Sequence, residues 1–171
     1  MKASVGLFYA SSTGNTATVA RRIAKCLEPI KVDVYDIMHF KRSGIPGYNK
    51  LIFGIPTWDS TDIHEDWKQF LPVLSKTRRP GKKVALFGCG DQKTYSLSFA
   101  DNMGLLYDWL LARKSIIVGR WPVNGYQFRK SDAIRENHFV GLVLDEDTQP
   151  ECTGERIRRW TDQLKNEFYA R

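Results

Sequence analysis

Cysteine is scarce in these 171 residues: Cys26, Cys89 and Cys152 form an odd, widely spaced set without a Cys-x-x-Cys pair. That pattern argues against a structural zinc site and against a disulfide framework, and it fits a reducing compartment. Long apolar runs are also missing. Nothing approaches the roughly 20 residues that span a bilayer, and the apolar run Val5–Tyr9 is too short for the core of a secretion signal. A cytoplasmic protein without membrane contact is the expectation. Only three histidines occur, His39, His64 and His138, at no metal-ligand spacing, and each reads as a surface or packing residue. The chain has neither the Gly-Lys-Ser/Thr end of a Walker loop nor the Gly-x-Gly-x-x-Gly of a dinucleotide fold.

What is present describes one packed domain across residues 1–171. Hydrophobic residues make up 42%, aromatic ones 12% and charged ones 26%, enough apolar mass for a real core. Lysine and arginine number 26 against 19 aspartates and glutamates, for a net charge of +7. Such a surplus invites a nucleic-acid reading. No tract interleaves basic and aromatic residues, however, and the basic positions are not gathered on one helix, so nucleic acid is not the expected partner.

Short apolar runs alternate with longer amphipathic ones, the pattern of strand and helix in turn. Strands are predicted at 4–9, 31–36, 50–55, 83–89 and 115–118, with a further piece at 139–144. Several are apolar nearly throughout, as strands covered on both faces should be. Helices are predicted at about 15–27, 65–75, 98–113 and 153–170; Val19, Ile23 and Leu27 stripe the first, and Ile157, Trp160 and Leu164 the last. Trp67, Trp109 and Trp160 read as core. The alternation implies a single doubly wound α/β domain: a five-stranded parallel sheet with helices on both faces. A segment at about 120–139 is too long for an ordinary connection and reads as an ordered insertion in the last strand.

Ligands of such folds bind at the carboxyl ends of the strands, which narrows the search to a few turns. After the first strand, Ser11, Ser12, Thr13, Gly14, Asn15 and Thr16 open a helix with hydroxyls and free backbone N–H groups, a neutral anion cradle. A cradle without lysine or arginine suits a phosphate monoester that is held and never transferred. After the third strand come Pro56, Thr57, Trp58 and Asp59, where the indole could stack on a planar ring. After the fourth come Cys89, Gly90 and Asp91, then Tyr95 as a second ring face. Together these turns describe a site for a phosphorylated aromatic ring.

In these motifs the chain resembles the flavodoxins, and specifically the long-chain bacterial kind. The resemblance runs from Gly6-Leu7-Phe8-Tyr9 through the Ser-Ser-Thr-Gly-Asn-Thr loop, Gly54-Ile55-Pro56-Thr57-Trp58, Phe87-Gly88-Cys89-Gly90-Asp91-Gln92, Trp121-Pro122 and Gly125-Tyr126 to Leu144-Asp145-Glu146-Asp147. It implies strand order 2-1-3-4-5 and non-covalent FMN, used to carry single electrons at low potential. By the same resemblance residues 11–16 hold the phosphate and Thr57, Trp58 and Asp59 form the first ring loop. Cys89, Gly90 and Asp91 form the second, Trp58 and Tyr95 cover the two ring faces, and Asp147 lies near the cofactor. The implied donor is an NAD(P)H-dependent flavodoxin or ferredoxin reductase, or another reductase. The implied acceptors are redox enzymes, and a monomer is expected.

Carboxylates on the turns at that edge, Asp59, Asp62, Glu65, Asp66, Asp91 and residues 145–147, would raise the energy of the anion that reduction leaves on a flavin. A close pair is worth about 1–4 kcal/mol, depending on effective dielectric. The family rotates a peptide after the tryptophan on reduction; the matching one is Asp59-Ser60. Glycine is common there in the family and absent here, so the rotation is expected to cost more.

Other functions on this topology fit less well. A phosphoacceptor receiver needs acidic residues after the first strand, an aspartate after the third and a lysine after the fifth, where this chain has Ala10-Ser11, Pro56-Thr57 and Gly119-Arg120. A quinone reductase needs an open cleft over the flavin, which Trp58 and Tyr95 would close. The basic surplus is expected at the amino ends of the strands. The turns 1–4, 28–33, 46–50, 75–83 and 112–115 carry ten lysines and arginines against Glu28 and Asp33. Flavodoxins typically present an acidic surface to basic partners, and this chain departs from that in its net charge.

Overall fold

A computed structural model describes residues 3–41, 45, 47–57, 62–76 and 80–171. The element order is β1 (Val5–Tyr9), α1 (Asn15–Cys26), β2 (Val32–Asp36), β3 (Lys50–Pro56), α2 (Glu65–Ser75), β4 (Lys83–Cys89), α3 (Asp101–Leu111), β5 (Ile116–Val118), β6 (Trp121–Pro122), β7 (Ile134–Arg135), β8 (His138–Phe139), β9 (Leu142–Leu144) and α4 (Pro150–Glu167). A short 3-10 turn, Ile37–His39, follows β2, with the Asp36 carboxylate accepting the Met38 N–H at 3.0 Å.

The main sheet is parallel, in the order β2-β1-β3-β4-β5. β9 also pairs with β4: β5 lies along Lys83 to Ala85 and β9 along Phe87 to Cys89. One fifth strand is thus laid down in two halves, and residues 119–141 leave the sheet between them. The expected strand at 139–144 is in fact divided. Phe139 belongs to β8, while Leu142 to Leu144 belong to β9.

Phe8, Phe53 and Leu86 stand side by side in register, so they share one face of the sheet. On that face Phe8 stacks with Phe70 of α2 at 5.8 Å, and Trp67 meets Phe53 edge-on at 5.2 Å. Phe87, next in β4, points the other way and meets Trp160 of α4 at 6.4 Å. α1 packs beside α4 on that second face. The two apolar faces explain why the strands read as nearly continuous hydrophobic runs. Trp67 and Trp160 are fully buried, and each satisfies its indole N–H on a backbone carbonyl, Gly54 at 2.9 Å and Gly119 at 2.8 Å. Trp109 differs from the core assignment. It is only partly buried, and the Arg113 guanidinium lies 3.6 Å over its ring.

The insertion forms a small antiparallel sheet, β6-β8-β7. β7 and β8 are joined by Glu136 and Asn137, both at positive φ (49° and 63°), as a two-residue hairpin turn requires. Phe99, Phe128 and Phe139 cluster at centroid distances of 5.2–6.1 Å and seat the insertion on the domain. Tyr126 locks it: its hydroxyl donates to the Val143 carbonyl at 2.6 Å and accepts the Trp121 indole N–H at 2.9 Å. Among the described residues no helix is long and apolar enough to cross a membrane.

Candidate functional site

The carboxyl ends of β1, β3, β4 and β9 converge on a cavity of about 260 Å³. From the first turn it is lined by Ser12, Thr13, Asn15 and Thr16, and from the β3 end by Pro56. Cys89, Gly90, Asp91 and Tyr95 come from the β4 turn, and Asp147 from the loop after β9. Thr94 and Glu146 line it too, and neither was among the expected site residues. Glu146 lay within the acidic run 145–147; nothing at the sequence level marked Thr94, which reaches the site only because the β4 loop turns back through Asp91. A larger cavity, about 830 Å³, lies at the opposite end of the sheet between Leu51, Val84, Trp109 and Leu110. Its apolar walls carry Ser75, Lys82, Arg113, Lys114 and Ser115, but it lies at the amino ends of the strands, whereas the smaller one opens at the carboxyl ends where ligands of such folds bind.

The first turn is shaped from within. Ser11 does not line the cavity; its Oγ accepts the N–H of Gly14 at 3.1 Å and of Ala17 at 3.3 Å, closing the loop onto the helix. Gly14 has φ 94°, a left-handed conformation that L side chains rarely adopt, and the space a Cβ would enter is open. α1 has no side-chain cap, and among the described residues the backbone N–H groups of Asn15 and Thr16 have no acceptor in the chain. Two orphan donors at a helix start, with the hydroxyls of Ser12, Thr13 and Thr16 around them, form a neutral anion cradle. Ser12 Oγ also lies 3.1 Å from His64 Nε2, which brings the start of α2 against the loop.

Thr57 is buried below the cavity floor, with its N–H and Oγ both donating to the Cys89 carbonyl at 2.8 and 3.1 Å. This extends the β3–β4 pairing by one residue. Trp58 and Asp59, and the Asp59-Ser60 peptide, lie outside the described residues.

The β4 turn is built around Asp91. Its carboxylate accepts the N–H of Lys93 at 3.0 Å and of Thr94 at 2.9 Å. Burial alone would raise this carboxyl; the bonds from Thr94 and Lys93 and the lysine charge outweigh it and hold it below its ordinary value. Cys89 is buried and its thiol is pushed up to about 12, chiefly by burial, with the Thr16 hydroxyl pulling the other way and the 145–147 carboxylates adding to the rise. It stays protonated and acts as a small apolar floor, not a nucleophile. The exposed carboxyl of Asp147 is raised, by desolvation first and then by Asp91, Asp145 and Glu146. The site rim is therefore crowded with negative charge. Asp62 contributes less than expected, because Lys68 Nζ pairs with it at 3.0 Å.

Neutral donors at one side, an aromatic ring at Tyr95 and carboxylates at the other side suit a phosphate ester joined to a planar ring. The residues present fit a flavin nucleotide: the cradle satisfies a phosphate without a counter-ion, and the acidic rim would oppose extra negative charge on the ring.

The family model for flavodoxin matches residues 7–160. Flavodoxin 1 of Salmonella typhimurium is 43% identical over 165 residues, covering 96% of this chain and 94% of its own. The flavodoxin of Synechococcus elongatus is 45% identical over 168 residues, covering 97% and 98%. Among solved structures, the Fusobacterium nucleatum flavodoxin bound to flavin mononucleotide superposes with a TM-score of 0.88 at 30% identity, over 96% of this chain and 98% of that one.

Proposed function

The chain belongs to the flavodoxin family, and from that premise we propose that it holds FMN in the site between β1, β3, β4 and β9 and works as an electron-transfer protein, not an enzyme. The observation that carries this reading is the cradle at Asn15 and Thr16, two orphan backbone donors facing a cavity that also receives Tyr95 and Asp147. When bound, the flavin supplies one-electron chemistry at low potential. The rest falls to the residues of this chain.

Ser12, Thr13, Asn15 and Thr16 would bind the phosphate through N–H and hydroxyl donors, with Ser11 and Gly14 shaping the loop behind them. They spend no cation on it, so the flavin end of the molecule keeps its negative field. Pro56, Gly90 and Asp91 would bring backbone close to the ring, on a floor that Thr57 supports from below. Tyr95 would cover one face of the ring; Trp58, which the family resemblance assigns to the other, lies outside the described residues. Asp91, Glu146 and Asp147 would set the potential by opposing the negative charge that reduction adds; the Asp147 carboxyl is itself raised, by desolvation first and then by its acidic neighbours. Asp145 is fully buried and takes no direct part. It holds the loops that do.

Electron carriers of this family serve redox partners. Here a reductase that draws on NAD(P)H would charge the protein, redox enzymes would discharge it, and the carrier would be a cytoplasmic monomer. Mixing the apoprotein with FMN should give a yellow, tightly bound complex whose stepwise reduction shows two separate one-electron midpoints. A protein that takes up no FMN, or that consumes NAD(P)H steadily on its own, overturns the reading.

A further inference from the structure

We propose that His64 is a protonation-linked part of the phosphate cradle, so that this chain takes up a proton at His64 when it binds a phosphorylated flavin; the inference rests on the FMN reading above. The cradle loop carries no charged side chain, and the first turn of α1 has no acidic residue. His64 reaches it from the cap position of α2, where its own N–H is anchored on the Asn102 side-chain oxygen. Its Nε2 lies 3.1 Å from Ser12 Oγ. Its Nδ1 is buried without a hydrogen-bond partner, and the nearest charge to it is Asp66 Oδ2 at 3.9 Å.

The two neutral tautomers each fail at one end. With the proton on Nδ1, Nε2 must accept the Ser12 hydroxyl proton, which is then lost to a phosphate. With the proton on Nε2, the Ser12 hydroxyl is free to donate, but the bare Nδ1 lone pair faces a carboxylate. Only the charged ring serves both: Nε2–H donates to Ser12 Oγ, the hydroxyl proton turns to the phosphate, and Nδ1–H faces Asp66. A phosphate dianion beside Ser12 strengthens that preference.

The other charges nearby are already engaged or turn outward. Asp62 pairs with Lys68 at 3.0 Å. The Asp101 carboxylate, beside Asn102 on α3, accepts the Asp132 N–H at 2.7 Å, and Glu65 is exposed at the helix start. Among the described residues Asp66 is the carboxylate that faces the ring.

The sign follows from linkage. A group that is more readily protonated in the complex contributes to binding most fully at pH below its free-state titration, and the contribution is lost as pH rises through its bound-state titration. FMN and riboflavin should be titrated into apoprotein between about pH 5.5 and 8 for wild type, His64→Gln and Asp66→Asn. Comparing proteins at each pH cancels the titration of the FMN phosphate itself, near pH 6. His64→Gln should weaken FMN binding about three- to tenfold at pH 6 and hardly at all at pH 8, while riboflavin binding stays equal in both proteins. Asp66→Asn should move the pH-dependent step to lower pH. By NMR, the His64 ring should titrate at higher pH after FMN is added and be unmoved by riboflavin. A His64→Gln effect that is the same at both pH values, or the same for riboflavin, overturns the proposal. So does an unmoved ring titration. If wild type binds neither flavin, the cofactor reading itself falls.

Discussion

The buried carboxylate of Asp145 accepts the backbone N–H of Gln92 at 3.1 Å, across fifty-three residues of sequence. The same carboxylate takes the N–H groups of Asp147 at 3.1 Å and Thr148 at 2.8 Å and the Thr148 hydroxyl. Gln92 passes the connection on, donating to Thr148 Oγ1 at 3.0 Å and accepting the Gln127 N–H from the insertion. One buried anion therefore sets the spacing between the Asp91–Tyr95 loop, the acidic loop and residues 119–141. Asp145→Asn turns one acceptor into a donor facing donors. It should cost about 2 kcal/mol of stability, seen in urea unfolding, and should weaken FMN binding although the side chain at position 145 does not touch the cofactor. Unchanged affinity would show that the loops keep their places without the clamp.

Gly141 marks the passage from the small sheet back into the large one. A Cβ there would collide with the Leu86 carbonyl of β4, and backbone cannot swing aside as a side-chain end can. Gly141→Ala should destabilise the fold by about 3 kcal/mol, measured by thermal or urea unfolding. Gly14→Ala offers a contrast, since its cost lies in φ 94° and not in space. It should leave stability less affected and reduce FMN affinity.

How much of this was readable in advance differs element by element. β1, β3 and β4 lie within one residue of their expected bounds, because strands buried on both faces are written as unbroken apolar runs. α4 begins three residues before the expected start, because Pro150 occupies the first turn, where a missing N–H costs nothing. α3 begins later than expected. The chain enters it through Ala100 at φ 63°, a left-handed residue with no glycine to announce it. The hairpin of β7 and β8 was equally silent, because its turn is Glu136-Asn137 and not the Asn-Gly that normally signals such a turn. In the site, the turns themselves were legible since strand ends and special residues coincide. The buried clamp at Asp145 was not. Its role comes from contacts far apart in the chain, and in sequence it is one of three adjacent acids.

The crowding around Asp147 gives a test with a definite sign. A carboxyl that is harder to ionise in the folded state favours folding only while protonated, so its contribution is fullest below its ordinary value of 3.8 and is lost as pH rises through the raised value. Asp147→Asn should accordingly be more stable than wild type at pH 7, with the advantage shrinking as pH falls toward 3.8. In the FMN complex the same substitution should raise the more negative midpoint. For an exposed charge worth about 0.5–1 kcal/mol, the shift is about 20–40 mV. A midpoint that stays put would remove Asp147 from the set of residues that tune the cofactor.

The basic surplus is the last feature to place, and the structure divides it into two kinds. Lys83 Nζ donates to the backbone carbonyls of Glu167 and Ala170 at 2.7 and 2.5 Å, closing the C-terminal end of α4 where the helix dipole is negative. Lys50 lies 4.2 Å over the Tyr169 ring at the same end, and Lys82 is buried. These are parts of the fold. Lys76 and Lys114 are exposed, at the ends of α2 and α3 remote from the cavity. At the other pole, Glu65, Asp66, Asp101 and Glu151 occupy first turns of helices, where the dipole is positive. The acidic first turns of α2, α3 and α4 thus place negative charge at the cavity end of the sheet. Lys83→Met should destabilise the protein by about 1 kcal/mol and leave the flavin midpoints alone. Reversing Lys76 and Lys114 together to glutamate should change neither stability nor midpoints measurably, because both lie beyond a Debye length of about 8 Å from the flavin site. A midpoint shift above about 20 mV in the double reversal would put these lysines electrically at the flavin and defeat the two-pole description.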